Sequence, residues 1–172
     1  MGITPYKLGA KYQPGFARVE AVADNCSGIV IRELREGTGH VDILVTDRRH
    51  FAEAVITAEQ QAIGTGTRPL LSDGYDNWGF TTVSSRGAVM VIDIESCRTS
   101  REIDRTLIHE HVHAAQLRRP GIRDAVLAGL RNNYGIDQLA KREARRLNQQ
   151  VAAHEREAAR YERFERQLRH FH

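Results

Sequence analysis

Two cysteines, four prolines, a single tryptophan and no long apolar run set the first limits on this 172-residue chain. Cys26 and Cys97 lie far apart and form neither a CxxC pair nor a zinc-ribbon pattern, which makes them poor metal candidates. They read as free thiols of a reducing compartment, with one bridge left open if the protein is delivered outside the cell. A membrane span needs roughly 18 consecutive apolar residues, and none approaches that length. The N-terminal stretch "MGITPYKLGAKYQPGF" has no apolar core of the kind a secretory signal requires. Tyr6 stands where a myristoylation signal has Ser or Thr. A cytoplasmic chain without a lipid anchor is expected, and a specialised secretion route stays open.

Aromatics are scarce at 6%, and the net charge is only +3. The charge is uneven. From Arg118 onward 13 Lys and Arg stand against 7 Asp and Glu, an excess of +6, which leaves −3 before it. Nucleic-acid binding calls for a basic face with interleaved aromatics, whereas "KREARRLNQQVAAHEREAARYERFERQLRHF" mixes its signs at helical spacing. That argues against a nucleic-acid partner. The 41% hydrophobic content suffices for the core of one domain without staples.

The chain reads as one domain over 1–172, with an αβ part at 1–98 and a helical part at 99–172. Apolar residues from Phe16 to Leu34 predict a helix, then a less certain element after a break at "DNCSG". "HVDILVTD" alternates like a half-buried strand, and "RRHFAEAVITAEQQAIG" predicts a helix stopped at Gly64. "TGTRPLLSDGYDNWG" is turn chemistry. Its Tyr75, with Trp78 and Phe80, reads as a turn with buried aromatics in preference to a lid. "FTTV" and "AVMVIDI" around "SSRG" predict a hairpin ending near Glu95. Thr99 and Glu102 stand at capping-box spacing, and Pro120-Gly121 closes the helix they open. From just after Gly135 to His170 a long, possibly broken helix follows, with an apolar stripe at Ala140, Ala144, Leu147, Val151 and Ala158.

His109, Glu110 and His113 spell H-E-x-x-H on the capped helix. Residues four apart on a helix are about 40° apart in projection, so two imidazoles can face one ion. Glu110 projects about 100° from His109, where its carboxylate could hold and deprotonate a water on that ion. Zn2+ is the expected cofactor. Gln116, three residues past His113, should line or support the site, while His111 projects away and reads as a surface or packing residue.

A catalytic zinc site needs a third protein ligand and one open position. The long helix offers Glu143, Glu155, Glu157, Glu162 and Glu165. With Val151 as centre of the inward stripe, Glu155 lies about 40° from it, Glu143 about 80° and Glu157 about 120°. Glu143 and Glu157 therefore read as solvated. Glu162 and Glu165 return to the inward face, ~10 and ~15 Å further along the axis, and geometry does not exclude them. Glu155 has the most apolar surroundings, with a buried arginine pair as its bland alternative. His154 reads as a packing residue, a ligand or a hydrogen-bond donor.

These residues resemble the gluzincins, in which H-E-x-x-H is followed by a glutamate on a second helix, often within E-x-E-A. Here "EREAAR" carries Glu155 in that place. "HEHVHAAQ", with Gln116, is similar to small bacterial peptidase domains associated with contractile injection systems and toxins. "EREAA" also resembles the regulatory peptidases that cleave phage-type repressors. The resemblance covers about residues 42–160. It departs at Ala159, where related motifs carry Asp or Asn, so the contact that residue would make to a ligand is missing or comes from elsewhere.

The resemblance implies an α+β, zincin-like architecture, with a small, mostly antiparallel sheet on the H-E-x-x-H helix. In it "RGAVMVIDIE" would be the edge strand that pairs with an extended peptide. It further implies a zinc metalloendopeptidase acting on protein or peptide substrates, with Glu110 as general base and His109, His113 and Glu155 as ligands. Tyr134, Tyr161 and His154 are the candidate donors to the reacting oxygen. The rival is a catalytically inactive zinc-binding regulatory or toxin-associated module, against which Glu110 argues. Substrate identity and oligomeric state are not encoded legibly.

Overall fold

The computed structural model describes residues 1–70 and 77–168. Alternation of apolar side chains builds its centre. In β2 (Val41–Thr46), Val41, Ile43 and Val45 face one way and Leu44 the other. In β4 (Ala88–Asp93), Ala88, Met90 and Ile92 join the first set while Val89 and Val91 join the second. A sheet that is apolar on both faces must be covered on both. Helices α1 (Gln13–Leu34) and α3 (Ser100–Gln116) lie over the larger core, and α2 (Arg48–Ile63) lies over the smaller one.

Two further strands, β1 (Gly2–Pro5) and β3 (Gly79–Val83), complete a four-stranded sheet in the order β1-β2-β4-β3. The pairings β1 with β2 and β2 with β4 are parallel, and β3 with β4 is antiparallel. The fold is thus α+β with a mixed sheet, correcting the expectation of a mostly antiparallel one. Parallel neighbours need crossover connections, and α1 and α2 supply them. The expected hairpin is present, with Val83 opposite Ala88. The strand preceding the capped helix, however, is interior: β4 has a partner on each side, and β1 and β3 are the edges among the described residues.

Helix boundaries follow their signals closely. Asp47 caps α2 by accepting from the His50 N–H, and Gly64 ends it at φ 67°, a left-handed conformation that glycine adopts without Cβ strain. Thr99 and Glu102 form the reciprocal capping box of α3. The break expected at "DNCSG" is absent, because α1 runs on without interruption. Ala23, Cys26, Ile29 and Val30 are buried there, and Ser27 bonds Thr38 at 2.9 Å. Helix–helix packing on α3 outweighs the poor local propensity.

Three elements were not expected among the described residues: β1, a short 3-10 turn at Ala10–Tyr12, and α4 (Ile122–Asn133), which touches α2 and β3. The long helix is α5 (Lys141–Tyr161). It passes into a tighter 3-10 turn over Glu162–Leu168 rather than continuing. Its inward stripe differs from the expected one, because Ala158 is fully buried whereas Val151 is 48% exposed. The larger core draws on both the 1–98 and the 99–172 parts, including Ala158 and Leu168. Tyr75 and much of the expected turn around it lie outside the described residues. Among those described, no helix is long and apolar enough to cross a membrane.

Candidate metal centre

Helix α3 carries His109 and His113 one turn apart, and α5 crosses it so that Glu155 meets both. The two Nε2 atoms are 3.0 Å apart, and the Glu155 oxygens lie 3.3 Å from each. One ligand atom from each of the three residues falls within 4.8 Å of the others. Ligand atoms placed tetrahedrally at ~2.0 Å from a common zinc ion would be separated by ~3.3 Å, so the donor set fits such an ion in both identity and spacing.

The remaining imidazole nitrogens are engaged as well. His109 Nδ1 donates to Glu162 Oε1 at 2.9 Å, and Glu162 Oε2 takes the Arg105 Nε at 2.8 Å. His113 Nδ1 donates to Gln116 Oε1 at 2.8 Å. Each ring is thereby turned with Nε2 toward the cluster, an outer arrangement typical of metal-bound histidine. Burial alone would push His109 down, but hydrogen bonds with Glu155 and Glu162 and the nearby charge of Glu110 raise it to about 10. His113 is raised against its burial by Glu155 and Glu110. Hydrogen bonds from the two histidines hold Glu155 well below the usual carboxylate range.

Glu110 is buried beside this cluster and faces the same cleft. The Thr81 hydroxyl, on β3, donates to its Oε2 at 2.7 Å. The close approach of β3 depends on Gly79. A Cβ there would stand 2.7 Å from Glu110 Oε1, 2.8 Å from Glu110 Cγ and 2.8 Å from Thr106 Cγ2. The cleft measures about 470 Å³ and runs between β3, α3, α4 and α5. Leu117, Ile122, Val126 and Val151 line it, together with His154 and Trp78. Trp78 is 39% exposed there, in contrast to the buried turn aromatic expected, and Phe80 is partly buried against the smaller core.

The other expected site residues divide. Gln116 is buried and supports His113, and His154 lines the cleft, with burial and the Arg119 and His113 charges lowering its pKa. Tyr134 is elsewhere: its hydroxyl donates to Glu59 at 2.8 Å beneath α2. Tyr161 packs against Phe164 and the larger core rather than the cleft. His111 is a packing residue, fully buried, and burial pushes it down to about 4. Glu157 is not solvated as its projection implied. It takes two hydrogen bonds from Arg119 and one from Gln116, because α5 presents that flank to the turn after α3.

Arg105, Thr81 and Gly79 were not read as site residues, and Glu162, which helix geometry left open as a third ligand, instead bonds the outer nitrogen of His109. Glu162 lies two turns beyond Glu155, on nearly the same side of the helix, where it reaches His109 Nδ1. The role of Gly79 depends on which strand forms the edge. Comparison with protein families, curated proteins and solved structures finds no match for this chain.

Proposed function

We propose that this chain is a zinc-dependent metallopeptidase of gluzincin type that hydrolyses peptide bonds in protein or peptide substrates, with Glu110 as general base. The observation that carries this reading is the convergence of His109, His113 and Glu155 on one point, beside a buried glutamate in the same cleft. A zinc ion held there would lower the pKa of a water and polarise the scissile carbonyl.

The chain's own residues supply the rest. Glu110 accepts the proton of the attacking water on its carboxylate and passes it to the leaving amine, while Thr81 orients that carboxylate. Among the described residues β3 pairs with β4 alone, so its outer edge offers backbone donors and acceptors to an extended peptide. The pairing role thus moves from β4 to β3. His154 is the one expected oxyanion donor that faces the cleft, and its lowered pKa favours the neutral ring, whose N–H can still donate. An inactive zinc-binding module would have no use for a buried carboxylate oriented by a strand hydroxyl.

The test is Glu110→Gln, assayed for zinc content and for hydrolysis of unfolded protein. Retained zinc with a 10²- to 10⁴-fold fall in rate, roughly the worth of a general base, is expected. Undiminished hydrolysis by the zinc-loaded variant would overturn the role of Glu110.

A further inference from the structure

The side chain of Gln116 has its carbonyl and amino ends assigned by what surrounds it. Its Nε2 lies 2.9 Å from Glu157 Oε2 and 3.1 Å from the His154 carbonyl oxygen. Both neighbours only accept hydrogen bonds, so both amide hydrogens must point at them. The Gln116 oxygen then has one remaining direction, toward His113 Nδ1 at 2.8 Å. An acceptor there requires a hydrogen on Nδ1 and leaves the Nε2 lone pair of the neutral ring facing Glu155 and His109.

Glu157 is itself held in place. Arg119 donates to it from Nη1 at 2.7 Å and from Nη2 at 2.9 Å, and grips Glu36 at 2.8 and 3.0 Å with Nε and Nη2. Glu36 follows the end of α1, Arg119 follows α3, and Glu157 is on α5. Three separate elements therefore fix one amide.

We propose that Glu157 and Arg119 are positioning residues that set the tautomer of His113 through Gln116, so that the readiness of Nε2 to bind a metal ion is determined by residues that do not touch the ion. This rests on the metal reading of the site for its purpose, though not for its geometry. The acidic residue two places after Glu155 is thus an outer support of His113, as Glu162 is of His109. Substituting an amide for the Glu157 carboxylate turns one acceptor into a group whose oxygen is drawn to Arg119 and whose amino end faces Gln116. The Gln116 amide is then pulled both ways, its oxygen by the amino end at 157 and its amino group by the His154 carbonyl, so the acceptor at His113 Nδ1 is no longer fixed.

The experiment compares wild type, Gln116→Met, Glu157→Gln and the double variant Gln116→Glu with Glu157→Gln, all matched for folding by circular dichroism. Two quantities are read: zinc affinity by chelator competition, and the exchange-protected Nδ1 hydrogen of His113 by nitrogen-resolved NMR, in metal-free and zinc-loaded protein. Expected is a loss of about 10- to 100-fold in affinity for Gln116→Met and a loss of the same sign for Glu157→Gln, with the protected resonance gone or shifted in both. The double variant, whose carboxylate can accept from both His113 and the amide at 157, should recover part of the loss. An unchanged His113 resonance and unchanged affinity in Glu157→Gln would overturn the proposal. If wild type failed to hold zinc, the metal reading would fall, while the resonance in metal-free protein would still decide the relay.

Discussion

Glu162 accepts the Nδ1 hydrogen of His109 at 2.9 Å from the tight turn just past α5, and holds Arg105 with its other oxygen. It thereby ties the outer nitrogen of His109 to the end of the helix that carries Glu155. Glu162→Gln keeps the size but weakens the charge-assisted bond. We expect zinc affinity to fall by about 10- to 100-fold with the fold intact, measured by chelator competition. Wild-type affinity in this variant would mean that His109 is oriented by other contacts.

Gly79→Ala introduces a methyl group where Glu110 and Thr106 already stand within 2.8 Å. Either β3 or the Glu110 side chain must shift, at a cost of about 1–3 kcal/mol for overpacking. Hydrolysis should fall far more than zinc content, because the added methyl meets Glu110 and Thr106 and none of His109, His113 or Glu155. Thr81→Val, which removes the 2.7 Å bond to Glu110, should act in the same direction more mildly. Parallel rate and metal measurements separate this from general damage, which would lower both.

Much of this site was legible because H-E-x-x-H and the capping box are local patterns, and their chemistry survives any arrangement of the remaining chain. Glu155 was picked as a neighbour of Val151 on a supposed buried stripe, yet its side chain is 55% exposed; it meets the histidines because α5 packs against α3 there. What could not be read depended on neighbours distant in sequence. "DNCSG" looks like a break until α3 is seen packed along α1. Val151 looks like core until α5 is seen to turn it into the cleft, and Glu157 looks solvated until Arg119 arrives from the turn after α3. The sheet order was equally hidden, because the parallel partner of β2 on one side is the unforeseen β1.

Val151→Ser separates the two placements of that residue. At 48% exposure its truncation should shift stability by only about 0.5 kcal/mol or less, followed by thermal unfolding. A loss of several kcal/mol would restore it to the core.

Burial pushes the Cys97 thiol up to about 11 and Cys26 higher still. Both should stay unreactive toward a disulfide reagent at pH 8 in the native state and react once the chain unfolds. The linkage has a definite sign. Unfolded thiols lose protons above about pH 8.5, while the folded ones retain theirs, so the unfolded state binds fewer protons there. This contribution to stability is fully present below that pH and is lost progressively as pH rises toward 11 and beyond. Rapid native-state labelling at pH 8 would contradict the burial of both thiols.

The most direct test of the central claim is equilibrium zinc titration of the metal-free chain beside His113→Ala and Glu155→Ala. Wild type should take up about one tightly held zinc per chain, and each variant should lose affinity by orders of magnitude, since each leaves two of three ligands. Wild-type zinc uptake by the folded His113→Ala protein would contradict the account.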